Sequence, residues 1–158
     1  MENTVNAIHT MQKYLPILRK INGWTAEDVG RRIGVTKQTI SNLENYKVTM
    51  TQTQYIALRS VFEYEMRVAD ENDVLKKVMY ILFYAPMQNS EEKEQQRYEA
   101  LENLSAAASG GITGQQLTML AMMLLSSVAP LHGVNVNFAL QTAEPYAWIE
   151  EMIQQEEE

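Results

Sequence analysis

Cysteine is absent from the 158 residues, which excludes disulfides and thiolate metal sites and fits a reducing compartment. Glycine and proline are scarce, at seven and four, and long alternating apolar–polar runs are missing, so little points to a sheet. No apolar run reaches the about 20 residues of a membrane span. The longest, Leu117 to Leu131, covers 15 and includes Thr118, Ser126, Ser127 and Pro130, so it reads as a buried helix. The opening "MENTVNAIHTMQKY" has no basic segment followed by an apolar core, so no secretory leader is expected in it. Histidine is limited to His9 and His132, which are far apart and without companion ligands. "SGGITGQQ" lacks the lysine and spacing of a phosphate-binding loop. The acids of the second half fall on expected solvent faces, with none paired for acid/base work. Neither an enzyme activity nor a cofactor is expected, and the location expected is cytoplasmic, at the nucleoid.

What is present divides unevenly. Hydrophobic residues make up 46% of the chain, enough to bury a real core. The formal net charge of -7 hides a segregation. Residues 1 to 60 hold eight Lys/Arg against four Asp/Glu, giving +4, whereas residues 61 to 158 hold five against sixteen, giving -11. A basic first part suits a polyanion and an acidic second part does not, so the overall acidity does not veto nucleic-acid binding.

Nearly every segment reads helical. Pro16 suits a first helical turn, so "PILRKIN" reads as a helix stopped at Asn22 and Gly23. Thr25 reads as an N-cap, with Glu27 and Asp28 favourable in the first turn, for a helix to about Ile33. Gly34 makes the turn and Thr36 caps a third helix to about Asn45. "TQTQ", Thr51 to Gln54, has capping-box spacing ahead of a longer helix. In the second part Asp73 reads as an N-cap and Pro86 as a stop. Residues 88 to 108 read as a charged helix with a stripe of Tyr98, Leu101 and Leu104, broken at Gly110 and Gly111. Thr113 and Gln116 have capping-box spacing ahead of a Met-rich helix to about Val128. "HGVNVNF" alternates as a short extended segment would, and a last helix begins near Pro145.

Two short helices joined by a glycine turn have a known use: the first braces across the phosphate backbone while the second enters the major groove. Residues 18 to 47 meet its requirements. Val29, Ile33, Val35, Ile40 and Leu43 form an inward set, Gly30 is small where the helices cross, and Lys37, Gln38, Thr39, Ser41 and Asn42 remain facing out.

The run "GWTAEDVGRRIGVTKQTISNLEN", Gly23 to Asn45, resembles the Cro and lambda-repressor (XRE-like) type of helix-turn-helix domain, with a likeness covering about residues 8 to 69. The resemblance implies a five-helix-type DNA-binding domain over 1–69, with double-stranded DNA as partner. The second part resembles no family, and its helical pattern predicts a small helical domain over 70–158 that dimerises or acts as an effector, so an all-α chain is expected. Lys37, Gln38, Ser41 and Asn42 match positions that read base edges, and Thr25, Thr36, Thr39, Asn45 and Lys47 match positions that touch phosphates. Arg19 and Glu44 match a structural ion pair. Three positions depart. Ala26 replaces a common glutamine, so one phosphate contact is expected to be lost. Tyr46 stands where glycine is usual, so either Asn45 takes the left-handed cap or Tyr46 packs against sugar-phosphate. Gly30 replaces the usual alanine at a propensity cost of about 1 kcal/mol.

Such readers usually work as dimers, which need an apolar surface. "VLKKVMYILFY", "LTMLAMMLLSSVAPL" and "YAWIEEMI" are the candidates; packing on one another as a small bundle is the favoured expectation, and both can hold for different faces. Two functions fit the whole chain. One is a homodimeric regulator, a repressor on a palindromic operator. The other is an antitoxin-like or inhibitory effector that binds a protein through residues 70–158 while its reader controls its own operon.

Overall fold

The computed structural model describes residues 4–70, 73–85, 90–128 and 133–156. Among these the chain is all-helical: α1 (Thr4–Ile21), α2 (Ala26–Ile33), α3 (Lys37–Glu44), α4 (Gln52–Val68), α5 (Val74–Phe83), α6 (Glu91–Ser109), α7 (Gly114–Val128), α8 (Val136–Thr142) and α9 (Ala147–Glu156). Helices α1 to α4 lie in the N-terminal part, and α5 packs as a fifth against α1 and α4.

Local chemistry sets most helix starts. Thr25, Thr36 and Thr51 each accept the backbone N–H three residues on, and Thr25–Asp28 and Thr51–Gln54 complete capping boxes. Asp73 caps α5 and Ser90 caps α6. Each cap satisfies an orphan donor, worth about 1 kcal/mol. Gly34 closes α2 in the left-handed region at φ 78°.

Two expectations are corrected. The first helix does not begin at Pro16, which lies inside α1. The upstream turns bury Ala7, Met11, Tyr14 and Leu15, and about 1.5–3 kcal/mol per large apolar side chain outweighs the about 3 kcal/mol cost of an interior proline. The extended segment expected in "HGVNVNF" is instead the start of α8, where Asn135 Oδ1 accepts the Phe138 N–H at 3.0 Å. Its first residue, His132, lies outside the described residues, as does the expected stop Pro86.

One continuous apolar core runs from Ala7 in α1 to Met152 in α9. Its centre is Tyr14, Leu15, Leu18, Leu43, Leu58 and Phe62, with Leu75 and Met79 of α5 on the same cluster. Helix α6 lies along α1 and pairs with α7 through Leu101, Leu104, Leu117, Ala121 and Leu125. The segment "VLKKVMYILFY" is core, as its apolar stripe suggests: Val74, Leu75, Val78, Met79, Ile81 and Leu82 are all buried within the chain. No described helix is long and apolar enough to cross a membrane.

Candidate nucleic-acid interface

Helix α3 hangs on two apolar anchors. Ile40 and Leu43 have no exposed surface, which leaves the opposite side of the helix to Lys37, Gln38, Ser41 and Asn42. Lys37 and Gln38 are exposed, while Ser41, Asn42 and Thr39 are half-buried. The Gln38 amide donates to Asn42 Oδ1 at 2.8 Å, so two long polar side chains one turn apart are held together. At the N-terminus the Thr36 hydroxyl accepts the Thr39 N–H at 3.2 Å, and the two hydroxyls lie 3.0 Å apart. At the other end Asn45 donates to Ser41 O at 2.9 Å.

The turn into α3 depends on a bare backbone at residue 30. Val35 N–H donates to Gly30 O at 2.9 Å, and a Cβ on Gly30 would stand 2.6 Å from Val35 O. The glycine that sequence reads as a propensity cost is what lets the two helices close to this distance.

The exit from α3 is a Schellman turn: Lys47 N–H donates to Asn42 O at 2.9 Å and Tyr46 N–H to Leu43 O at 3.2 Å. The left-handed residue is Tyr46, at φ 55°, while Asn45 sits at φ -91°. A left-handed Asn45 is thereby excluded. Tyr46 is 56% exposed, so the strain is not offset by burial of its ring. Partial burial and neighbouring Tyr98 push its phenol pKa up. Lys47 follows it into solvent.

Three contacts hold this surface to the scaffold. Arg19 makes a two-pronged pair with Glu44, Nε to Oε1 at 2.6 Å and Nη2 to Oε2 at 3.0 Å, and donates to Trp24 O at 3.0 Å. Arg32 lies 3.8 Å over the Trp24 ring, which stacks on Phe62. Gln12, buried in α1, donates to Leu43 O at 3.0 Å and Val48 O at 2.8 Å and accepts Met50 N–H at 2.9 Å. Sequence reasoning missed Gln12, because a glutamine beside an apolar stripe reads as solvent-facing. Its partners lie 31 to 38 positions away.

The electrostatics favour an anion. Glu44 and Asp28 are both neutralised, by Arg19 and Arg31, while Lys37 and Lys47 stand exposed. The Asp28 carboxyl is drawn down to about 2, first by the Thr25 backbone N–H at 2.8 Å, then by the Thr25 hydroxyl and Arg31. Both Thr25 donors are thus committed to a carboxylate. Ala26 opens α2 half-buried. His9 is exposed. Among the described residues no three His, Cys, Asp or Glu side chains gather as metal ligands.

Comparison with known proteins points the same way. A family model described as helix-turn-helix matches residues 17–67. Antitoxin HipB of Escherichia coli (strain K12) is 32% identical over 56 residues, which are 35% of this chain and 64% of that protein. Antitoxin HipB of Escherichia coli O6:H1 is 30% identical over 56 residues, 35% of this chain and 60% of its own. The chain thus spans about three-fifths of the length of these curated relatives. No solved structure matches the chain. Residues 17–67 are a helix-turn-helix of the XRE type.

Proposed function

We propose that this chain is a sequence-specific transcriptional regulator, a repressor that binds a palindromic operator as a homodimer. The observation that carries the reading is the outer row of α3, where Gln38 and Asn42 are locked to each other on a face with exposed Lys37. Amide side chains in that row suit the donor and acceptor edge of adenine, and lysine suits the acceptors of guanine. Thr36, Thr39, Asn45 and Lys47 take phosphates at the two ends of the helix and fix register. Thr25 is the weakest of the phosphate candidates, since Asp28 already holds both its donors. Tyr46, strained and exposed beside Lys47, adds its ring to the sugar-phosphate contact.

The homodimer surface falls on α7 and α9. Met119, Met122 and Met123 of α7, and Tyr146 and Ile153 at α9, remain exposed after the chain has packed. The likeness to antitoxin HipB favours one second reading, in which residues 70–158 bind another protein and the reader governs its own operon. Both readings are tested on the full chain. Selection of bound DNA should return a palindrome, and light scattering should give a dimer. A monomer that binds no DNA, yet retains a stoichiometric protein through α7, reverses the assignment.

A further inference from the structure

Helix α7 has two unlike faces. Leu117, Ala121 and Leu125 are buried on the side packed against α6, while Met119, Met122 and Met123 stand 65%, 58% and 66% exposed. Spaced three and four apart, the three thioethers share one side of the helix with the exposed Gln115, Gln116, Ser126 and Ser127. The serine hydroxyls do not reach outward: Ser126 donates to Met123 O at 3.0 Å and Ser127 to Leu124 O at 2.8 Å. The centre of this face is therefore a strip of sulfur and methyl groups.

Other methionines are placed differently: Met11, Met50, Met66, Met79 and Met152 are all buried. The chain has no cysteine, whose thiolate would compete for an oxidant. Among the described residues, a hydroperoxide thus meets the α7 thioethers first.

Charge says what covers the strip. Residues 61 to 158 carry -11, yet no Asp, Glu, Lys or Arg occurs between Glu102 and Glu144. In a two-fold contact a patch meets its own copy, so a charge on it would face its like. The α7 strip escapes that repulsion, which suits it to a second copy of this chain.

We propose that Met119, Met122 and Met123 are an oxidation site, and that their sulfoxides stop a second copy from seating on α7. In each oxidation an S–O bond forms as the peroxide O–O bond breaks; sulfur gives up two electrons, and the hydroperoxide leaves as water or an alcohol. The new oxygen needs a hydrogen-bond donor, and the centre of the facing strip holds thioethers and hydroxyls already committed to backbone. A paired strip is covered, so the oxidant acts on the free protomer and holds it there. The effect on pairing rests on the homodimeric reading above; the site of oxidation does not.

Treatment of the full chain with hydrogen peroxide tests both halves. Peptide mass mapping should find Met119, Met122 and Met123 oxidised at least about tenfold faster than Met11, Met66 and Met79. Raising the protein concentration through the dimer constant should slow those three alone. By sedimentation velocity, the dimer Kd should rise at least about tenfold on oxidation and return after enzymatic reduction of the sulfoxides. A variant carrying Met119→Leu, Met122→Leu and Met123→Leu keeps the apolar strip without its sulfurs, so it should pair like the parent and ignore peroxide. An oxidised dimer as tight as the untreated one overturns the proposal and leaves the homodimeric reading standing. A parent that stays monomeric at every concentration overturns that reading and the switch together. Equal oxidation of the buried methionines overturns the site, as does a leucine variant that peroxide dissociates like the parent.

Discussion

Arg19 grips both carboxylate oxygens of Glu44, at 2.6 and 3.0 Å, with only 15% and 13% of the two side chains exposed. The pair ties the end of α1 to the last turn of α3, and the third Arg19 contact, to Trp24 O, holds the start of the α2 segment. Removing one partner leaves a charge in a half-dry site. Glu44→Ala should therefore cost about 2–3 kcal/mol, somewhat below the 3–5 of a fully buried pair. Arg19→Lys should recover only part of the pair, because an ammonium cannot make two parallel bonds. Urea denaturation of both variants checks this; a Glu44→Ala midpoint equal to the parent's overturns it.

Gly30→Ala pits two effects against each other. Helix propensity favours alanine by about 1 kcal/mol. The added Cβ, however, would lie 2.6 Å from Val35 O and 3.2 Å from the Thr36 carbonyl carbon, both backbone atoms. Backbone cannot swing aside as a side-chain tip can, so the steric cost should win. A net loss of more than about 1 kcal/mol is expected, from overpacking at the crossing of α2 and α3. Thermal unfolding gives the sign directly, and a higher midpoint for alanine would mean the helices cross further apart.

At Tyr46 stability and binding should move in opposite directions. A left-handed non-glycine residue costs about 1–2 kcal/mol, and glycine returns about 0.5–1 kcal/mol of that as backbone entropy. Tyr46→Gly should then stabilise the fold by about 0.5–1 kcal/mol. It also deletes an exposed ring beside Lys47, so operator affinity should fall severalfold. A variant that is more stable and binds DNA unchanged would reduce Tyr46 to plain strain.

Acid titration isolates the cap of α2. The Asp28 carboxyl is held at about 2 chiefly by the Thr25 backbone N–H, so its folded value lies below its unfolded value. A depressed carboxyl contributes stability that is fully present above the unfolded value of about 4 and is lost as pH falls through the folded one. The cap should thus weaken between about pH 4 and pH 2. Carbon-detected NMR of the Asp28 carboxyl checks the midpoint, and a value near 4 would show the capping box open in solution. Thr25→Ala removes the hydroxyl and leaves the N–H, so the midpoint should rise only part of the way.

The legibility of this chain follows the range of its interactions. Thr25, Thr36 and Thr51 could be read as caps because their partners lie three residues on. Gly34 was equally plain, since a left-handed turn between two apolar-periodic segments asks for glycine. Gln12, Arg59 and Glu63 were invisible: each is polar, each is buried, and Gln12 answers to partners in a loop remote in sequence. Pro16 misleads because tertiary burial overrides a local preference, and "VNVNF" because five alternating residues cannot distinguish a strand from a capped helix. Of the interface, α3 and its outward row were legible, while the clasp that holds it in place was not.

The sharpest test of the readers compares side chains that should lose different things. Gln38 and Asn42 are bonded to each other, so removing either also frees the other, and the two losses should not add. Gln38→Ala and Asn42→Ala should each lower affinity for the selected operator by about 1–3 kcal/mol and relax preference at one base pair. The double variant should fall short of the sum. Lys47, exposed just past the Schellman turn, addresses phosphate, so Lys47→Ala should weaken specific and random DNA alike and reduce the salt slope by about one. Fluorescence anisotropy at several salt concentrations, on operator and scrambled duplexes, separates the two behaviours. If all three variants lose affinity equally on both duplexes, α3 does not read bases and the row is a solvated face.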